Sequence, residues 1–578
     1  MSDIHGSQPP EPPIEPGSTP AVAPAAAATE TATVSDGSET VALRKPRRPV
    51  IIAAVAGAVV LLLVIGGGSW AFTTLVLGKG QTVAASAVAF PASTVGWAEI
   101  AIDPSNDQKL QALQFSQKLT GLTDALDEAG VDLDLSKGTD TDLKKTIWDA
   151  IVSSDSSVAD TLDYDSDIKP WLGSRIAVGL LPASGTEPQV IVAIEASDTS
   201  SGEAAVTTLL DKNVNDLTIG SHAGYVVVAS KGIDLDAVYA KGTLDSNSDF
   251  SSAAAKAGEW GLVSGWTGPG FAATAAENAS GSTPASAVAA NGGSQFAVVR
   301  LVDGTLELSG STTGVESGPE LGDAGAAVDS LPASTTLAGS YGSLGVLLDY
   351  LLSDNDLAAS FVDAYGAYTG STDPDATPAE NIAAARATVT DFFQSSFGLT
   401  FPDDIESLFG ESLTVAVDSG VVTAPSGTSE NPVTEIVGSG IAIVVTSKDA
   451  AATEANWNTV LDTYAAQVGG DLGVTVSAAG DRVIISAGTY ADTLASGSGD
   501  LGSSERASTV LPDLAGATGV LYLDIPAALD TYRGLLGSSA DSMSTSLGAF
   551  EGLSAIGLTS TRESDTSASY RLRISTEK

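Results

Sequence analysis

Phe90-Pro91-Ala92-Ser93-Thr94 returns as Leu331-Pro332-Ala333-Ser334-Thr335, 241 residues further along the chain. Other segments recur in the same order. Trp171-Leu172-Gly173, ahead of the apolar run Ile176 to Leu180, is answered at offset 237 by Leu408-Phe409-Gly410 ahead of Leu413 to Val417. Asp198, Glu203, Leu210 and Asp211 are answered at offset 251 by Asp449, Glu454, Leu461 and Asp462, with Val206 in register with Trp457. Tyr225 to Ala229 matches Arg482 to Ala487 at an offset of about 257, and Gly261-Leu262-Val263 matches Gly519-Val520-Leu521 at 258. Chance matches scatter, whereas offsets that drift slowly and in order are those of a duplication with a few loop insertions. The expectation is two homologous tandem lobes, 85–325 and 326–578.

Within each lobe the pattern predicts a strand, a helical stretch, then several strands with a further helix. Asp103-Pro104 followed by Leu110, Leu113, Leu119, Leu122 and Leu126 reads as a helix opened by an Asp cap with Pro in the first turn. Val190 to Ala193, Gly224 to Ala229, Ile441 to Val445 and Val483 to Ile485 are β-branched runs bounded by Gly, Ser or Asp and suit strands. Asp303-Gly304 between the arms of Phe296 to Leu308 is a type I′ hairpin signal, because both turn positions need positive φ. Hairpins with short, segregated helices predict an α+β fold with mainly antiparallel sheets. Thr267 to Ser294, rich in Gly, Ala, Ser and Pro, reads as an excursion ahead of that hairpin.

Upstream of the lobes the composition changes. Residues 1–43 hold seven prolines from Pro9 to Pro24 and an alanine run, too little large apolar surface to offset ordering entropy, and read as a disordered tail. Residues 44–78 begin with Arg44, Lys45, Arg47 and Arg48, after which Val50 to Leu77 carries no charge. About 20 apolar residues cross a hydrocarbon layer of roughly 30 Å, so a transmembrane helix is expected from Val50 to about Phe72. Four basic residues precede the span and only Lys79 closely follows it, which orients the tail toward the cytoplasm and the lobes outside. The expected location is the plasma membrane, single-pass, with cleavage around Ala85, Ala87 and Ala89 as the competing reading.

The chain has 578 residues, 71 acidic and 26 basic, for a net charge of −45. Residues 80–578 hold 65 acidic and 21 basic side chains, so the negative charge belongs to the lobes. Without cysteine there is no disulfide and no thiolate-ligated metal or cluster, and two histidines leave little for a His-rich site. The acidic balance argues against a nucleic-acid partner, since that affinity comes from clustered Lys and Arg. No cofactor and no catalytic residue are expected.

Each motif that could carry chemistry meets a structural objection. Gly497-Ser498-Gly499-Asp500-Leu501-Gly502 matches GxGxxG but lies in a Ser/Gly loop without a strand-to-helix turn. Ser166-Asp167-Ile168-Lys169 matches the SxxK of Ser-Lys acyl enzymes, yet Pro170 disfavours helix at Lys169. Asp163, Asp165 and Asp167 copy the opening of a calcium loop and are weak metal candidates, with Ile168 where the loop needs Gly and Ser174 where it needs an acid. His222, beside Gly224 and Tyr225 at a strand entrance, reads as structural. Trp171 and Phe409 are expected either to plug each lobe's core or to face a ligand in a groove between lobes. Thr29, Thr31 and Thr33 beside Glu30 are candidate phosphosites in the tail.

The apolar span, Phe90-Pro91 leading to Asp103-Pro104, Lys169-Pro170-Trp171-Leu172-Gly173-Ser174-Arg175 before a strand, and the Asp198 helix together resemble a bacterial, membrane-anchored family of unknown function, DUF 3352. The resemblance would extend over nearly all of the lobes, and the Ala- and Gly-rich composition looks actinobacterial. It implies no catalytic residue. The functional expectation is a non-enzymatic binding or scaffolding module of the cell envelope, whose partner is an envelope protein, lipid or polymer. The alternative is a carrier or chaperone of a lipid or other apolar ligand held between the lobes.

Overall fold

Among the residues described by the computed structural model, sixteen strands lie edge to edge in one antiparallel sheet. The structure describes residues 85–577 apart from several stretches, the longest of them 120–141, 275–292, 363–375, 419–439 and 537–549. The tail, the basic flank Arg44 to Arg48, the Val50 to Phe72 span and Thr29, Thr31 and Thr33 all lie outside the described residues. Among the described residues no helix is long and apolar enough to cross a membrane. Ala87 and Ala89 are fully buried in a 3-10 helix Ala85–Ala89 of the first half.

The first half supplies β1 (Gly96–Ala101), β2 (Leu172–Leu181), β3 (Gln189–Ala196), β4 (Leu217–His222), β5 (Tyr225–Ser230), β6 (Val263–Thr267), β7 (Ser294–Val302) and β8 (Thr305–Thr313). The second supplies β9 (Thr335–Gly342), β10 (Ser412–Asp418), β11 (Ile441–Thr446), β12 (Thr475–Ala479), β13 (Arg482–Ser486), β14 (Ala517–Asp524), β15 (Leu553–Ser564) and β16 (Ser567–Thr576). From one edge the order is β4-β5-β3-β2-β1-β6-β7-β8, and from the other β12-β13-β11-β10-β9-β14-β15-β16. The two halves thus use the same strand order, and β8 and β16 pair where they meet.

Registers agree as well as order. Ile100 opposes Ile176 as Tyr341 opposes Leu413, Ile176 opposes Ile194 as Leu413 opposes Val445, and Val192 opposes Val228 as Ile443 opposes Ile485. These pairs interconvert by the sequence offsets 241, 237, 251 and 257. Loop contacts repeat too: Leu244 N donates to Phe90 O at 2.8 Å, and Leu501 N to Leu331 O at 2.9 Å.

The two halves share one sheet, because the last strand of each is paired with that of the other. The helices are short, the longest among the described residues being Pro378–Phe397 and Ala450–Val468 at 20 and 19 residues. The sheet is covered on both faces: Tyr225, Val227 and Ala229 pack into one core while Val226 and Val228 pack into another on the opposite face. A strand covered on both faces reads as a continuous apolar run rather than an alternating one, even in an antiparallel sheet. The Asp303-Gly304 turn forms as predicted, with φ of 51° and 76°. The helix after Asp103 is described over Asn106–Ser116, and its core face is Ala112 and Phe115, followed by Leu119; Leu110 is exposed instead.

Candidate functional site

The seam between the halves is built from β7, β8 and β16. In the Asp303-Gly304 hairpin Arg300 stands opposite Glu307, and across the seam Glu307 stands opposite Arg573. Opposed residues in an antiparallel ladder share a face, so all three side chains converge. Glu307 is 1 % exposed. Its Oε1 accepts from Arg300 Nε at 2.9 Å and Nη2 at 2.6 Å, and its Oε2 accepts from Arg573 Nε at 2.8 Å. Burial alone would raise the Glu307 carboxyl; the hydrogen bond from Arg573 and the charge of Arg300 outweigh it and hold the group below its ordinary 4.5.

Two residues along from Arg573, Arg571 occupies the centre of the β8–β16 ladder opposite Ser309. Its Nε lies 3.6 Å from Glu307 Oε2 and its Nη1 pairs with Asp513. The same guanidiniums reach the main chain at the ends of two helices. Arg300 Nη1 donates to Ala257 O of the helix Ser248–Ala257, and Arg573 Nη1 donates to Thr509 O of the helix Glu505–Val510. Arg300, Val302, Glu307, Pro512, Asp513, Arg571 and Arg573 line a pocket of about 390 Å³ above this cluster. On the opposite face the seam is filled by Phe115, Leu262, Leu301 and Leu306.

The residues singled out from sequence lie elsewhere. Trp171 is core: it is 4 % exposed, packs with Val206 and Val226, and its Nε1 donates to Asp167 O at 2.7 Å. Phe409, at the end of the helix Asp403–Phe409, is half-buried against Leu408 and Trp457. Each aromatic packs against residues of its own half. Asp163, Asp165 and Asp167 do not converge, and among the described residues no His/Asp/Glu group is placed to hold a metal. Asp163 accepts from Ser166 N, Asp167 accepts from Asp163 N, and Asp165 pairs with Lys169.

That stretch is a helical turn rather than a loop, and Pro170 does not prevent Lys169 from completing it. Proline restricts the residue before it without forbidding the helical region. The turn makes no Ser-Lys pair, because Ser166 Oγ donates to Asp163 and Lys169 Nζ sits 3.2 Å from Asp142. In the GxGxxG stretch, Gly499 abuts the Ser330 main chain, Gly502 lies against the Asp329 side chain and Leu501 is fully buried, so the two described glycines serve packing. His222 stacks on Tyr239 with ring centroids 3.8 Å apart.

Sequence reading missed two buried charge systems, the seam cluster and a Glu99–Arg175 pair at 3.0 Å between β1 and β2. Burial raises the Glu99 carboxyl despite the Arg175 charge and the hydrogen bonds from Ser86 and Arg175. The Arg300–Glu307 half of the seam was accessible, since a two-residue turn at 303–304 fixes 300 opposite 307.

Residues 54–255 match the family model described as "Protein of unknown function (DUF3352)". Over those residues the chain is similar to the DUF3352 family. The DUF3352 match begins inside the Val50 to Phe72 run and ends within the helix Ser248–Ala257, covering β1 to β5. It therefore stops short of the second half, against the expectation that the resemblance would extend over both lobes, and β7, β8 and β16 of the seam lie outside it. No curated protein and no solved structure matches the chain.

Proposed function

We propose that this DUF3352 domain-containing protein is a non-catalytic binding or scaffolding module, built from two duplicated lobes and held at the plasma membrane by the Val50 to Phe72 span. Shared strand order and transposable registers support the duplication, and the four basic residues ahead of the span support lobes outside with the tail inside.

The observation that carries the binding reading is the seam pocket. Its polar wall is mostly guanidinium, and arginine stays protonated at any physiological pH, so it recognises and positions anionic groups but cannot shuttle protons. A carrier of an apolar ligand would need apolar space between the lobes, and that space is taken by packed leucines on one face and guanidiniums on the other.

The chain has no cysteine, so an introduced one is a unique handle. In intact cells a membrane-impermeant maleimide is expected to label Asp565→Cys, on the exposed β15–β16 turn, and to spare Thr33→Cys until the cells are opened. Labelling of Thr33→Cys alone would overturn the topology. Photo-cross-linking from position 513 would then identify what the seam contacts, and a DUF3352 protein that captures nothing there under native expression would overturn the scaffold reading.

A further inference from the structure

Arg300, Arg571 and Arg573 line the seam pocket together with Glu307 and Asp513, in a chain of net −45. A long-range field of that sign repels anions, so affinity for one has to come from local donors in a recessed site.

The donors are present and fixed. Arg300 and Arg573 are each held by Glu307 and by a helix-end carbonyl, so little rotamer freedom remains to be lost on binding. Arg571 differs from both. Among the described residues its buried Nε makes no hydrogen bond, lying 3.6 Å from Glu307 Oε2, and the guanidinium's hydrogen-bond partner is Asp513, whose side chain is 74 % exposed. A buried guanidinium N–H without an acceptor is costly, and the exposed carboxylate beside it is free to swing away. Ser309, opposite Arg571 on the same face, also keeps a buried hydroxyl without a hydrogen-bond partner among the described residues.

We propose that the seam pocket binds a phosphate-type oxyanion, which takes the place of the Asp513 carboxylate on Arg571 and is flanked by Arg573. Guanidinium forks match phosphate oxygens two at a time, and about 390 Å³ accommodates a phosphate with a short substituent. The pocket's donors are the same whichever side of a membrane the lobes occupy.

The test titrates inorganic phosphate into the full-length protein at constant ionic strength, reading heat or melting temperature, for wild type, Arg571→Gln and Asp513→Asn. Arg571→Gln is expected to weaken binding about tenfold or more, and Asp513→Asn, which removes the competitor and leaves the Glu307 cluster intact, to tighten it several-fold. One common curve for all three proteins would mean general salt stabilisation and would overturn the proposal, as would weaker binding in Asp513→Asn. Flotation with phosphatidylglycerol vesicles distinguishes sources: Arg571-dependent flotation assigns a lipid headgroup, and phosphate binding without flotation assigns a free or soluble ligand.

Discussion

Arg573 Nε donates to Glu307 Oε2 at 2.8 Å across the one strand pair that joins the two halves, linking residues 266 positions apart in sequence. The carboxylate accepts from Arg300 of its own hairpin at the same time, so a single buried acid ties the local turn to the long-range seam.

Replacing that acid is therefore expected to be expensive. Glu307→Gln leaves guanidiniums packed against one another without their anion, and removing one partner of a buried ion pair costs about 3–5 kcal/mol. Urea unfolding at neutral pH checks this, and a loss below about 1 kcal/mol would show that solvent already screens the cluster.

The same group sets a pH dependence. The folded carboxyl is held below its ordinary 4.5, so its contribution is complete well above 4.5 and disappears as pH falls through the lower folded value. The stability gap between wild type and Glu307→Gln should shrink as pH is lowered below about 4.5. A gap unchanged down to acid unfolding would contradict the assignment.

By contrast the Lys256–Glu563 pair, which also joins the halves, has both side chains more than one-third exposed. Lys256→Ala is expected to change stability by about 0.5 kcal/mol or less, an effect that added salt removes. A loss comparable with that of Glu307→Gln would show that the seam depends on its rim rather than on its buried acid.

Gly173 and Gly410 take equivalent places at the start of β2 and β10. A Cβ on Gly173 would meet Glu195 O at 2.7 Å, and one on Gly410 would meet Thr446 O from a backbone with φ of +62°. Because main chain cannot yield as a flexible side chain does, Gly173→Ala and Gly410→Ala should each cost about 1–3 kcal/mol in thermal unfolding. Tolerance at one site but not the other would argue against structural equivalence of the two strand entrances.

Tryptophan placement gives a further test of that equivalence. In the first half Trp171 enters the core from the strand and packs with Val206; in the second, the matching positions hold Leu408 and Trp457, and Trp457 Nε1 donates to Leu408 O at 2.9 Å. Trp171→Leu should lose about 3 kcal/mol, and adding Val206→Trp should restore part of it, copying the second half's solution. Strictly additive losses would mean that the two cores are filled independently.

What sequence determined here was local or periodic. Strand runs, the Asp303-Gly304 turn and the Arg300–Glu307 register follow from φ preferences and a period of two. Tertiary structure decided the rest. That Trp171 is core, that Leu110 points outward and that Asp163, Asp165 and Asp167 stay apart depend on what packs against each element. The seam itself was beyond reach: the pairing of β8 with β16 brings Arg571 and Arg573 to Glu307 over more than 260 residues, and no local propensity encodes which two strand edges will meet.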